Sequence, residues 1–242
     1  MYLALASSAR ANHMSIEFDS SVVLNALPQL IKGFAFTIEL TVMSAAGGLV
    51  LGTLLALARL SSSKFLSRVA GGYVNILRSI PLLLVIFWFY FLVPYILAWM
   101  IGAKNPIELS PLSSCVITFI MFEACYFCEI MRAGIQSIPP GQLNAARALG
   151  MKYWTVMAYI VIPQAFRNML PVLLSQTIVL FQDVSLVSIL SMKDFFGSAD
   201  FIAKRDGRPH EMYLVVAMVY LAICFLLSRV VKLVQQRVAI IR

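Results

Sequence analysis

Charge is scarce in this sequence. Only 12% of its 242 residues are charged, 61% are hydrophobic, and the mean hydropathy is +0.88. Soluble domains are about half apolar and about a quarter charged. The composition therefore excludes an ordinary soluble protein and predicts an integral membrane protein. Its length leaves little room for a separate soluble domain beside the membrane part.

Metal-binding and nucleotide-binding patterns are also missing. The sequence has four cysteines and two histidines, and its single CxxC, Cys125 to Cys128, lies among apolar and aromatic residues. A zinc site would need a second such pair or a nearby histidine, so we expect the cysteines to pack inside helices. No GxxxxGK[ST] loop for nucleotide phosphates occurs. The chain alone is therefore not expected to hydrolyse ATP.

Five apolar windows are long enough to cross a bilayer, which takes about 20 residues. The predicted spans are 33–58, 80–101, 111–131, 169–190 and 212–231. Backbone groups find no partners in lipid, so the spans must be helices and the fold all-α. Residues 154–162 are apolar but too few to cross, so we expect them along the interface or inside the bundle. Gly48 and Gly52 form a GxxxG that predicts a packing face.

Charged residues divide unevenly between the two sides of these spans. One side comprises the 61–79 and 132–168 loops and the C-terminal tail, with the span ends that border them. It holds 12 of the 19 basic residues and none of the 11 acidic ones. This asymmetry predicts that this side is cytoplasmic, with the N-terminus outside and the C-terminus inside. The same bias explains the net charge of +8, so we expect no nucleic acid partner.

The two ends of the chain are predicted to lie outside the membrane domain. The expected division is an extracytoplasmic segment over 1–32, a transmembrane domain over 33–231 and a cytoplasmic tail over 232–242. Residues 1–13 start with an apolar run too short for a signal sequence, with no charged region ahead of it. Met14 begins a more typical opening, which leaves a start at Met14 open, and we expect nothing functional before it.

A spaced motif occupies the predicted cytoplasmic loop before the fourth span. Asn144-Ala145-Ala146 is followed after three residues by Gly150, and after nine more by Ile160-Val161-Ile162-Pro163. The frame resembles the motif of bacterial ABC importer permeases: E-A-A, three residues, G, nine residues, I-x-L-P. Asn144 stands in place of the glutamate and Ile162 in place of the leucine.

Three further stretches, 76–94, 121–142 and 178–190, are similar to the polar amino acid permeases of that family, including those for glutamate and aspartate. The resemblance implies an ABC type I importer permease fold with a cytoplasmic coupling helix at about 140–150 that docks on an ATPase. The residues it assigns to coupling are Gly141, Asn144, Ala145, Ala146, Leu149, Gly150, Ile160 and Pro163.

The residue types of the motif suit a docking helix. Alanine favours helix and lets two surfaces approach closely. Leu149 can act as an apolar knob, and Gly150 can end the helix in a left-handed conformation. Pro163 would restart the chain towards the fourth span. The missing glutamate at Asn144 removes one possible salt link to the ATPase.

The resemblance also implies partners and a location. It implies an ATPase dimer that holds ATP and Mg²⁺, a second permease subunit, and an extracytoplasmic amino acid-binding protein at a bacterial inner membrane. The chain itself would be a multi-pass transport subunit, not an enzyme, with no cofactor or metal of its own. Whether the second permease is a copy or a different chain stays open.

Polar residues inside the spans indicate where substrate could pass, because buried charge in a membrane usually faces a cavity or a partner. For Glu123, lining the cavity and hydrogen bonding between helices both stay open. Glu129 and Arg132 are three residues apart and are predicted to pair on one helix face. Glu39, near the outer end of the first span, is expected to be solvated. The candidates for the pathway are Glu123, Gln176, Gln182, Asp183 and Ser185.

Several alternatives remain at this stage. The glutamate and aspartate assignment rests on resemblance alone, and a basic amino acid, glutamine or cystine is the next choice. An intramembrane enzyme would cluster histidine, aspartate or serine at its spans, yet His13 and His210 both fall in predicted outer loops. An ion-coupled secondary carrier often shows internal repeats, and none is found in the sequence.

Overall fold

Residues 18–238 are described by the computed structural model, and every regular element among them is a helix. We number these α1 to α8 in chain order. Their bounds are Ser20–Leu60, Lys64–Arg78, Leu82–Met100, Pro111–Gln136, Pro140–Ala148, Tyr153–Leu190, Phe195–Asp206 and Pro209–Val238. Helices α1, α3, α4, α6 and α8 are long and apolar enough to cross a membrane. The five predicted spans and the all-α class are therefore confirmed.

Helix α1 starts 13 residues before the predicted first span. The Asp19 carboxylate accepts the Ser21 N–H at 2.9 Å and caps it, and the 41-residue helix continues through Pro28. Its extra turns are stabilised by packing, because Ala26 and Leu30 are buried against α7 and α8. Residues 20–32 are thus helical and continuous with the span. The expectations for residues 1–13 and a start at Met14 lie outside the described residues.

Helix α6 includes the short apolar segment that was expected along the interface or inside the bundle. Residues 154–162 form its first turns, with a π-helical turn at Met157–Val161 just before Pro163. A wider turn accommodates a residue that has no N–H to donate. Helix α6 ends in a 3₁₀ segment, Val184–Leu190. Helix α8 likewise runs past residue 231 to Val238, into the predicted tail.

Helix α2 lies where a loop was expected. Its Val74 is buried against Ala56 of α1 and the two cysteines of the CxxC on α4. The Tyr73 hydroxyl donates to the Met121 carbonyl oxygen at 3.0 Å. Helix α2 therefore rises along α4 until the chain breaks at residues 79–81 and continues as α3. Polar and charged residues interrupt its sequence, so a search for apolar windows missed this helix.

Helix α4 is the central element, in contact with α1, α2, α3 and α6. Against α1 the GxxxG face is confirmed, since Gly48 and Gly52 lie directly over Phe127. A Cβ atom at Gly52 would lie 2.8 Å from the Phe127 Cβ and 2.9 Å from the Ala124 carbonyl oxygen. The backbones of α1 and α4 thus approach so closely that only glycine, which has no Cβ atom, fits at this position.

Helix α7 closes the end of the bundle where α1 begins. Asp194 caps it, accepting the N–H groups of Phe196 and Gly197, and the Phe195 N–H donates to Thr37 Oγ1 of α1 at 3.0 Å. Burial raises the pKa of Asp194 to about 6. The carboxylate form of this cap is thus favoured above that pH. The hydrogen bond from the Phe195 N–H to Thr37, together with apolar contacts, fastens α7 to α1.

The GxxxG packing generates a prediction in which two similar substitutions act in opposite directions. Gly52→Ala should lower the free energy of unfolding by about 1–3 kcal/mol, because the added methyl meets backbone atoms of α4. Gly72→Ala in α2 meets nothing within 4 Å and should raise it by up to about 1 kcal/mol through helix propensity. Thermal unfolding of the detergent-solubilised chain measures both. Equal responses would contradict the close α1–α4 contact.

Candidate functional site

The spaced motif folds as a hairpin that joins α4 to α6. Helix α5 is its first arm, and Ala146, only 3% exposed, is buried at its base against Ile138, Val156, Val161 and Ala165. Ala146 therefore faces the protein itself and not the surface, which places it differently from the other motif alanines. Its small side chain is what lets α5 lie flat against α6.

Two hydrogen-bonded side-chain pairs close the hairpin. Gln164 of α6 donates to Gln142 of α5 at 2.7 Å, and Asn168 donates to the Ser137 hydroxyl oxygen at 2.8 Å. With Ala146 between them in the core, the two arms are held along their length. The hairpin is thus a firm extension of α4 and α6.

Gly150 ends α5 in the left-handed conformation that the motif predicts, with φ at +76°. The Met151 N–H donates to the Ala146 carbonyl oxygen at 3.1 Å, and the Gly150 N–H to the Arg147 carbonyl oxygen at 2.9 Å. This pair of bonds is a Schellman motif. A Cβ atom at Gly150 would meet nothing within 4 Å, so the backbone conformation alone calls for glycine here.

The outer surface of the hairpin has exposed apolar side chains on both arms, with Leu149 at the end of α5 and Trp154 and Tyr159 at the start of α6. Leu149 is 81% exposed, and Pro163 is exposed while Ile160 is half-buried. An apolar side chain so open to solvent favours a protein contact. The other exposed motif residues are Gly141, Asn144 and Ala145.

Near the hairpin, one carboxylate lies close to arginines from three helices. Glu129 of α4 accepts hydrogen bonds from Arg59 of α1 and from Arg132 one turn away, the latter at 2.7 and 3.1 Å. Arg78, at the end of α2, brings Nη1 to 4.0 Å from the same carboxylate. The predicted Glu129–Arg132 pair is confirmed. The other two arginines, Arg59 and Arg78, were not predicted, because residue spacing along one helix cannot reveal partners on other helices.

Glu123 of α4 contacts a neighbouring helix. Its side chain is fully buried beside Gly48, and Gln176 of α6 donates to its carboxylate at 3.1 and 3.4 Å. The hydrogen-bonding alternative thus describes Glu123 in this subunit better than lining an open cavity. Glu123 and Gln176 are the two pathway candidates that the fold brings into direct contact.

The other three pathway candidates follow on α6. Gln182 is exposed and donates to Cys224 Sγ of α8 at 3.3 Å. Asp183 is half-buried at the start of the 3₁₀ segment, and the Ser185 hydroxyl donates to the Gln182 carbonyl oxygen. A groove of about 660 Å³ between α6 and α8 contains Gln182 with Ser175 and other polar residues. Glu39 is exposed on α1.

Basic residues surround two cavities beside α7. The cavities have volumes of about 740 and 670 Å³. Lys193 Nζ lies 4.4 Å from the centre of the Phe201 ring, while Lys204 pairs with Asp200 at 2.7 Å. The basic residues that line one or both are Lys32, Lys193, Lys204 and Arg205. Within residues 18–238, no three His, Cys, Asp or Glu side chains are grouped as a metal site would require.

The chain matches a family described as "Binding-protein-dependent transport system inner membrane component" over residues 48–240. It is 48% identical over 225 residues to the glutamate/aspartate import permease protein GltK of Escherichia coli O6:H1, covering 92% of this chain and 99% of that protein. It is 30% identical to the glutamine transport system permease protein GlnP of Escherichia coli K12, covering 93% and 100%.

Solved structures have the same fold. A crystal structure of an amino acid ABC transporter with histidines superposes with a TM-score of 0.83 at 30% identity, covering 92% of this chain and 99% of that chain. An inward-facing methionine ABC transporter, MetNI, superposes with a TM-score of 0.66 at 17% identity, covering 88% and 98%. The second likeness concerns the fold alone.

The Glu129 cluster generates a stability prediction. Glu129→Gln should lower the free energy of unfolding by about 3 kcal/mol, because a largely buried carboxylate is lost and its arginines remain. Asp206→Asn is the matched control: Asp206 pairs with Arg205 near solvent, and its loss should cost less than about 1 kcal/mol. Thermal unfolding in detergent compares the two. A Glu129 variant as stable as the control would contradict a structural role for the cluster.

Proposed function

The chain belongs to the family of binding-protein-dependent transport system inner membrane components, and we propose that it forms part of the pathway of an ATP-driven importer for glutamate and aspartate. It is the permease subunit of an ABC amino acid importer, a multi-pass inner membrane protein and not an enzyme. The observation that carries the substrate assignment is 48% identity to a glutamate/aspartate permease along nearly the whole of both chains.

The coupling part of the proposal rests on the hairpin. Helix α5 docks on an ATPase dimer through Leu149 and the small exposed residues beside it, while ATP and Mg²⁺ are bound by that partner. Because Ala146 fixes α5 to α4 and α6, a displacement of α5 moves both spans. Closure of the ATPase then shifts the population from inward-open towards outward-open permease.

The orientation follows from the same assignment. The hairpin and the Glu129 cluster lie on the cytoplasmic side, and α7 with its two basic cavities lies outside, where an amino acid-binding protein delivers substrate. A second permease subunit, identical or different, completes the pathway. Polar side chains such as Ser175 and Gln182 in the groove between α6 and α8 favour that face for the pathway, because polar residues that face lipid are costly.

The charge of the outer cavities supports an acidic substrate. Four basic residues and one acidic residue, Asp200, occur among the residues that line them. Lys204 and Arg205 are each paired with an aspartate, so Lys32 and Lys193 carry the excess positive charge. A positive cleft concentrates anionic ligands and speeds their entry. Lower identities to permeases for glutamine and cystine, 30% and 36%, make these the next choices. A basic amino acid fits the lysine-lined cavities less well.

Leu149→Asp tests the coupling surface. Leu149 is so exposed that its replacement should leave the unfolding temperature unchanged. A charge at the centre of an apolar contact should nevertheless reduce both substrate uptake and stimulated ATP hydrolysis by about tenfold or more. Phe65→Asp is the control, since Phe65 is 79% exposed but outside the motif. Normal uptake by the Leu149 variant would remove α5 from the coupling role.

Reconstitution tests the substrate. In liposomes the chain alone should take up nothing. With its ATPase, second permease, binding protein and internal ATP it should import labelled glutamate and aspartate, and unlabelled glutamine, cystine or arginine should compete poorly. Uptake by the chain alone on an ion gradient would indicate a secondary carrier. ATP-dependent uptake of glutamine in preference to glutamate would overturn the substrate assignment and leave the importer class intact.

A further inference from the structure

Arg78 is the member of the Glu129 cluster whose charge is least compensated. The carboxylate of Glu129 is already hydrogen-bonded by Arg59 and Arg132, and three arginines face a single negative charge. Arg78 approaches it only to 4.0 Å, with 40% of its side chain exposed. No other acidic group within residues 18–238 lies within salt-bridge distance of it. Its guanidinium is therefore available to another anion.

The position of Arg78 in the fold is unusual for a residue that merely follows the positive-inside bias. It is the last residue of α2, directly before the break at residues 79–81. On either side of it, Leu77 and Ile80 pack against the core around Phe119 and Phe122, well inside the bundle. A charge beside this apolar core needs a cavity or a partner. Breaks between membrane helices are where transporters commonly bind their substrates.

Arg78 also has a fixed orientation. Its guanidinium carbon lies 5.2 Å from the centre of the Tyr126 ring. Tyr126 is on α4, about one turn from both Glu123 and Glu129. Contact with the aromatic face holds a guanidinium plane without using its hydrogen-bond donors. The donors are therefore positioned and largely free, as a carboxylate ligand requires.

A cavity connects Arg78 with the coupling hairpin. Its volume is about 390 Å³, and its lining extends from Arg78 and Glu129 to Ser137 and Asn168, the pair that closes the hairpin base. The cavity thus opens on the same side as α5. It has room for one amino acid, and the planar, cationic guanidinium of Arg78 at its inner end would orient that amino acid.

We propose that Arg78 binds a carboxylate group of the transported amino acid in the half of the pathway nearest the hairpin. The inference rests on the proposed transport function but not on which amino acid is carried, since every amino acid has an α-carboxylate. Arg59 and Arg132 serve a different purpose in the same cluster. Either one alone neutralises the single negative charge of Glu129, which would otherwise repel the substrate carboxylate and capture Arg78.

This role is tested in the complete transporter, reconstituted in liposomes, with the variants Arg78→Gln and Arg78→Lys. The matched control is Arg132→Gln, which removes a closer partner of the Glu129 carboxylate. The readout is substrate imported per ATP hydrolysed. Arg78→Gln should lower this ratio about tenfold or more, the effect of losing a charge-assisted hydrogen bond. Hydrolysis stimulated by the loaded binding protein should change less than about twofold, because the hairpin is untouched, and Arg78→Lys should recover part of the ratio.

The outcomes separate this proposal from the broader one. An unchanged ratio in Arg78→Gln would overturn carboxylate binding by Arg78, and so would an equal loss in Arg132→Gln, which would indicate a structural role for the cluster. Failure of the unmodified complex to import glutamate would instead contradict the proposed substrate. In that case the same ratio is measured with whichever amino acid the complex imports.

Discussion

The burial of Ala146 at the base of the hairpin is the contact on which the proposed mechanism depends. A larger side chain there would lift α5 away from α6, because the surrounding residues already fill the space. With Ala146 in place and Gln142 bonded to Gln164, α5 cannot move without α4 and α6. These two spans are joined again deeper in the membrane, where Gln176 binds Glu123. A push on the hairpin is thus delivered to the middle of the bundle.

The acidic groups inside the bundle show how a membrane protein keeps charge at acceptable cost. Glu129 is compensated by arginines from separate helices, and Glu123 by an amide donor. The two contacts between helices, Arg59–Glu129 and Gln176–Glu123, also specify which helices are neighbours, as polar groups within membranes commonly do. The excess positive charge of the Glu129 cluster has a further consequence. It leaves Arg78 able to interact with a passing anion, so structural and transport roles occupy adjacent positions in one cluster.

Hydropathy and spacing predicted much of this fold. The five spans, the GxxxG face, the Glu129–Arg132 pair and the left-handed Gly150 all follow from local rules and are observed. Helix α2 and the outer turns of α1 did not follow, because their polar residues interrupt the apolar windows and only packing stabilises them. The inward direction of Ala146 was also missed: neighbouring alanines look alike until α6 is placed beside them. The arginines from α1 and α2 could be assigned to Glu129 only from tertiary structure.

The most direct test of the account is cross-linking from single cysteines placed along α5 in the assembled transporter. Ala145→Cys and Leu149→Cys lie on the exposed surface, and Ala146→Cys lies in the hairpin core. The account predicts that the first two capture the ATPase through a short cross-linker and that the third captures nothing. Capture from none of these positions, or from Ala146 alone, would contradict the docking of α5 on a nucleotide-hydrolysing partner.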